Sequence, residues 1–282
     1  MAALESLYPL DTAQSWDQVG LVVGEPERVV HAVVLAVDPT LSVIQEAADL
    51  GADLIISHHP LLLRGIHSAA ADTSKGASLQ GLILGDIALY CAHTNADVAT
   101  NGVGHALASA CGLLETDPLT ISEGQELGRV GDLPESMTLR EFAEHLGSAL
   151  PLTASGMRVA GPPEATVQRV ALLGGSGDHA FADVVASGAD VYVTADLRHH
   201  PALEAREQAQ VGSQTPYLVD AGHYASEALW LPLLQRALIR SLGDRGVTLR
   251  IDISTRCTDP WTFVVPTGSG HDSEHSKLRG EQ

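Results

Sequence analysis

Aromatic side chains make up only 4% of the 282 residues, so a core has to be built mainly from Ala, Val, Leu and Ile. Cysteine is sparser still. Cys91, Cys111 and Cys257 are odd in number, and none forms a C-x-x-C pair. That excludes a disulfide framework and reads as small core fillers in a reducing compartment. Basic residues are outnumbered, 16 Lys and Arg against 35 Asp and Glu, for a formal net charge of -19 at pH 7. Such a surface repels a phosphate backbone, which argues against nucleic acid as a partner, yet it concentrates divalent cations. No stretch reaches the roughly 18 uninterrupted apolar residues of a membrane span. The opening "MAALESLYPL" lacks the basic and apolar regions of a signal peptide. These absences together predict a cytoplasmic protein with no membrane partner.

What is present is a succession of short apolar runs. Hydrophobic residues make up 45% of the chain, ample for a large core. "HAVVLAVD" (31–38) reads as a buried strand. "TLSVIQEAADLG" (40–51) reads as a helix with Thr40 as N-cap and Gly51 as stop. "DLIIS" (53–57) is the next strand, which makes a βαβ unit with a parallel pair. "SLQGLILG" (78–85) reads as a helix and "IALYCAH" (87–93) as a strand. "TNAD" (94–97) reads as a polar loop, and residues 102–113 as a helix.

After Leu114 "ETDPLTISEGQE" reads as a polar connector into a second αβ segment with a helix over 138–150. "VQRVALLGGSG" (167–177) reads as a strand entering a glycine loop. Helix, strand and strand follow, then one long helix over 226–243 and a last strand, "VTLRIDIS". The pattern predicts an α/β fold of two interleaved αβ units with mixed sheets. Residues 1–116 and 217–266 would form one unit and 117–216 the other, with 267–282 a disordered tail. "FADVVASGADVYVTADLRHHPAL" (181–203) echoes "VIQEAADLGADLIISHHPLL" (43–62): a helix, then Gly-Ala-Asp, a strand and His-His-Pro. Two related units facing one another across a site, or chance likeness, both fit.

Of the 13 histidines, six fall near strand ends: His58, His59, His93, His199, His200 and His223. Ligands gather at the carboxyl ends of strands in open α/β sheets. With Asp97, Asp196, Asp220 and Glu227 close in sequence, this is a metal-ligand inventory. His58 and His59 precede Pro60, and are either ligands or a solvated strand end. Asp97 is a ligand or an Asx-turn before the next helix. His223 and Glu227 are four apart, on one face if helical, or else Glu227 is capping chemistry. Five ligands suit two metals sharing a carboxylate better than one tetrahedral zinc. "LLGGSG" (172–177) is either a phosphate cradle or a tight turn, and lacks G-K-[ST].

Five stretches occur in order: "SWDQVGLVVG" (15–24), "GADLIISHHPLLLRGI" (51–66), "YCAHTNADVATNGVGHALASACGL" (90–113), "GADVYVTADLRHHPAL" (188–203) and "LVDAGHYASE" (218–227). Together they resemble the GTP cyclohydrolase 1 type 2 homologue family, also called Nif-three-like. The resemblance implies a dinuclear divalent-metal site in a toroidal homohexamer. It implies His58, His59, Asp97, His223 and Glu227 as ligands for two ions per subunit, with Zn, Fe, Mn or Ni all compatible. It implies a small-molecule substrate, a nucleotide, with hydrolytic opening of the guanine imidazole ring of GTP by activated water. His93 and His200 would transfer protons. The chain departs from the pattern at Ala195, where the family has glycine, and at the additional His199. A metal-dependent phosphoesterase or other hydrolase, and a non-catalytic metal-binding scaffold, are the alternative readings.

Overall fold

The computed structural model describes residues 1–265, so the expected disordered tail lies outside the described residues. The chain opens with a short helix, Ala2–Leu7 (α1), then Gly20–Val23 (β1) and Ala32–Ala36 (β2). Leu41–Asp49 (α2) follows, with Thr40 accepting from the Val43 N–H as the sequence predicts. Leu54–Ser57 (β3), Ser74–Leu84 (α3) and Ala88–Cys91 (β4) come next. Residues 94–97 are not a loop. They wind into the five-residue helix Thr94–Val98 (α4), closed by the Ala96 and Asp97 N–H groups donating to the His93 carbonyl. Val103–Ala110 (α5) completes the first stretch.

The expected polar connector is a strand, Asp117–Ser122 (β5), hairpinned to the 14-residue Gln125–Thr138 (β6). Glu123 and Gly124, with φ of 50° and 82°, form the two-residue turn. The polar pattern hides this strand because one face is solvated; only Leu119 is buried. Leu139–Ala149 (α6) starts with a capping box between Thr138 and Glu141. Arg158–Ala160 (β7) and Thr166–Ser176 (β8) follow. β8 runs through Gly174 and Gly175 to pair Ser176 with Ala195, so the expected glycine loop is strand. The chain continues with Phe181–Ser187 (α7), Val191–Ala195 (β9), His199–Val211 (α8) and Tyr217–Asp220 (β10). The expected long helix is two, His223–Ala228 (α9) and Trp230–Gly243 (α10). Pro232 lacks an N–H and sits in the first turn of α10, where none is needed. Arg250–Ile253 (β11) is the last strand.

Two mixed sheets result. One has the order β1-β4-β3-β2-β11, parallel except for β1; the other has the order β5-β6-β8-β9-β10-β7, with β8-β9-β10 parallel. β10 pairs Leu218 with Tyr192 of β9, so the chain leaves the second sheet after Asp220 and not at residue 217. Each sheet is covered on both faces by apolar clusters. α5 joins the two cores: Val103 and Ala106 pack with the first sheet, Leu107 and Ala108 with the second. Cys91 and Cys111 fill buried positions, whereas Cys257 is exposed and is not the expected core filler. Among the described residues no helix is long and apolar enough to cross a membrane.

Candidate metal centre

β3 ends at Ser57, but its pairing with β2 carries on. The His58 and His59 N–H groups donate to the carbonyls of Ala36 and Val37 at 3.1 and 2.8 Å. The ladder thus fixes both histidines before Pro60 ends it. The His58 side chain is buried, with Nδ1 3.0 Å from the Ala92 carbonyl just past β4. His59 Nδ1 lies 2.7 Å from Asp38 Oδ1, just past β2. His93, at the N-cap of α4, has Nδ1 2.9 Å from Asp17 Oδ1. The other Asp17 oxygen accepts the Thr94 N–H and hydroxyl at 3.0 and 2.6 Å. His223, the first residue of α9, has Nδ1 2.7 Å from Asp196 Oδ2, just past β9.

These oxygens only accept, so Nδ1 carries the hydrogen in all four rings. Each neutral imidazole then presents the lone pair of Nε2, the arrangement in which a second-shell oxygen orients a metal ligand. The Nε2 atoms converge. Those of His59 and His223 are 3.2 Å apart. Glu227 reaches among them, with Oε1 3.1 Å from His223 Nε2 and 3.5 Å from His58 Nε2. Its Oε2 is 3.0 Å from His59 Nε2 but without hydrogen-bond geometry, and Oε2 and His58 Nε2 are buried with no hydrogen-bond partner. Asp97 Oδ1 lies 3.7 Å from His58 Nε2. His58, His59 and His93 form one group of converging ligand atoms, and His59, His223 and Glu227 a second.

Facing lone pairs and an unpartnered buried carboxylate oxygen are costly unless positive charge sits among them. Protons meet that demand in part. Burial opposes protonation of His59, but the Glu227 charge and the Asp38 hydrogen bond outweigh it and push the pKa up to about 10. Burial likewise opposes protonation of His223, yet the hydrogen bond and charge of Glu227 raise it to about 9. Burial would raise Glu227, but the His58 and His59 charges hold it well below the usual carboxylate range. Burial pushes Asp97 up. The centre can hold cations, and imidazole with carboxylate suits a divalent transition metal.

The second sheet contributes a close approach. At Gly175 (φ 64°) a Cβ would stand 2.5 Å from Glu227 Oε1 and 3.4 Å from His223 Nε2. The Gly175 N–H donates to Ser226 Oγ at 3.1 Å, and its carbonyl accepts from Thr194 Oγ1 at 3.0 Å. The glycine pair read as a turn or phosphate cradle is instead where β8 passes against the carboxylate.

His58, His59, His93, Asp97, His223 and Glu227 are therefore brought together. His200 is not. β9 stops at Ala195, residues 196–198 turn away, and His199 and His200 open α8, both exposed, their rings 5.1 Å apart. Among the described residues no hydrogen bond or ion pair joins His200 to the centre. Asp38, Asp17 and Gly175 were missed as site residues, and Asp196 was only part of a ligand inventory. Asp38 and Asp196 carry a shared signal, an acid immediately beyond a β-branched run.

An α/β protein with two mixed sheets and a histidine–carboxylate centre able to hold metal is the class that fold and site define. The chain belongs to the Duf34/NIF3 (NGG1p interacting factor 3) family, whose model matches residues 1–260. It is 48% identical over 278 residues to a Streptomyces coelicolor protein named GTP cyclohydrolase 1 type 2 homolog, covering 95% of each chain. A Mycobacterium tuberculosis relative of the same name is 33% identical, covering 94% of this chain and 96% of the relative. That alignment runs over 374 positions, so the relative carries sequence that this chain of 282 residues lacks. A crystal structure of a Staphylococcus aureus protein superposes with a TM-score of 0.85 at 30% identity, covering 94% of this chain and 97% of that one.

Proposed function

We propose that the chain is a dinuclear divalent-metal-dependent hydrolase acting on the guanine imidazole ring of GTP or of a related nucleotide. The observation that carries the metal reading is the convergence of the His58, His59 and His223 Nε2 atoms on the buried carboxylate of Glu227, with His93 grouped beside His58 and His59 and all four Nδ1 atoms on oxygen acceptors. The names borne by the relatives supply the choice of ring. His58, His59, Asp97, His223 and Glu227 would hold the ions. Bound there, divalent ions supply Lewis acidity that brings water toward ionisation near neutral pH.

The chain's own groups do the rest. Ala92, Asp38 and Asp196 fix the orientation of the ligand imidazoles. His93 Nε2 takes and returns a proton, and Asp17, hydrogen-bonded to Nδ1, stabilises the imidazolium that forms. Burial opposes ionisation of Asp17, but hydrogen bonds from His93 and Thr94 hold its carboxyl far below the usual range, so it stays charged for that task. The homohexamer that the resemblance implies is part of this reading, and light scattering on the purified chain tests it.

The activity test is formate release from GTP by the metal-loaded protein. Release that is lost in the His58→Ala, His59→Ala double variant supports the proposal. Equal, background release from both proteins overturns the cyclohydrolase assignment. Hydrolysis of phosphoesters in its place would favour the phosphoesterase reading.

A further inference from the structure

A cavity of about 890 Å³ opens beside the centre, with His59 and His223 in its wall. That volume is within the usual span of small-molecule sites. Part of the outer wall is the segment after β11, which contributes Asp259 and Trp261. Two carboxylates pin that segment down. Glu46, 8% exposed, accepts from the Ser254 hydroxyl and from the Thr255 N–H and hydroxyl, the latter two at 3.0 and 2.5 Å. Asp38 Oδ2 accepts from Thr258 Oγ1 at 2.5 Å while Oδ1 holds His59. One side chain thus fixes both a metal-centre imidazole and a residue of the cavity wall, Thr258.

The wall's chemistry is selective. Trp261 is 67% exposed, and among the described residues it has no aromatic partner. A large aromatic face held open beside a reactive centre is a stacking surface. Among the described residues the charged side chains lining the cavity outside the metal centre are Asp38, Asp196, Asp220 and Asp259, against Arg158. Arg158 is already paired with Asp220 at 2.5 Å. Away from the metal centre the described wall therefore offers carboxylate acceptors and an aromatic face, with Arg158 already engaged by Asp220.

We propose that Trp261 is the specificity-determining residue of this site, the face on which the planar, N–H-bearing ring of the ligand stacks, with the protein wall reading the ring and not the phosphates. The proposal rests on the hydrolase reading for the ring that it names. Its geometry does not depend on metal, because Glu46 and Asp38 hold the segment through protein contacts alone.

The test is calorimetric titration of the full chain with guanosine and, separately, with inorganic triphosphate, in metal-loaded and metal-free forms, with metal content measured in each. Trp261→Ala should weaken guanosine binding about tenfold or more, the loss typical of a base-stacking aromatic. Trp261→Phe should recover most of that loss. Triphosphate affinity and metal content should change less than about twofold in either variant, whatever stacking is worth. Guanosine that fails to bind the wild type, or binds Trp261→Ala unchanged, overturns the proposal. An equal loss of triphosphate affinity also overturns it. Guanosine binding that follows Trp261 in a chain that takes up no metal would uphold the stacking face and remove the hydrolase reading.

Discussion

Two stretches of this chain look alike and end differently. β2–α2–β3 and β8–α7–β9 are both βαβ units with parallel strand pairs, and each enters its second strand through Gly-Ala-Asp. In both, the aspartate does the same job. Asp53 accepts the N–H groups of His31 and Ala32 at 2.7 and 3.0 Å, and Asp190 those of Gln168 and Arg169 at 2.9 and 2.8 Å. Each ties the start of its own strand to the start of the neighbouring one. Beyond the strands the units part. His58 and His59 follow Ser57 directly and stay in the ladder, so they face the centre. After β9 three residues intervene, and the second His-His-Pro opens a helix in solvent. The second unit supplies Asp196 instead, which orients His223 as Asp38 orients His59. The spacing from strand end to motif, and not the motif, decides which imidazoles reach the site.

The largest effect expected from this contrast is loss of metal. His58→Ala with His59→Ala should leave the purified protein without bound metal by plasma mass spectrometry. Next is pH. His59 and His223 have raised values, so in the metal-free chain their stabilising contribution is complete below the ordinary histidine range and is lost as pH rises through about 9 and about 10. Metal displaces those protons. Affinity for zinc should therefore climb between pH 7 and 9, by up to about a hundredfold per pH unit if about two protons leave. Calorimetry in buffers of different ionisation enthalpy would count them, and an absence of proton release would break the link.

Asp38→Asn and Asp196→Asn probe the matched orienting roles. Each should weaken metal binding about 10–100-fold, as loss of an outer-shell partner does. If only one does, the two units are not equivalent in this respect. Asp53→Ala and Asp190→Ala probe the shared role, and each should cost about 1–3 kcal/mol in urea unfolding. Burial opposes ionisation of Asp53, but the His31 and Ala32 N–H groups hold its value low. Its contribution is therefore present above the ordinary carboxyl range and is lost on acidification. The smallest effect belongs to His199→Ala with His200→Ala, which should leave metal content and formate release unchanged.

Much of this was legible before any fold. The apolar runs that became β2, β3, β4, β9 and β10 are buried on both sides, so apolar continuity marked them. His58, His59, His93, Asp97, His223 and Glu227 stood out because they sit where strands give way to helices. β5 was not legible, since its polar face reads as a connector. α4 was too short for periodicity to mark it. Gly175 was misread because its role is a contact with Glu227, 52 positions away in sequence, and no local pattern encodes that approach. Asp38 looked like the end of a strand, and only the fold places it between His59 and Thr258.

The proposed hydrolysis requires two metal ions in this centre. Anomalous diffraction from crystals of the metal-loaded protein tests it most directly. Two peaks per subunit are expected, within ligand distance of His58, His59, Asp97, His223 and Glu227. A metal-replete crystal with no peak among these residues would contradict it.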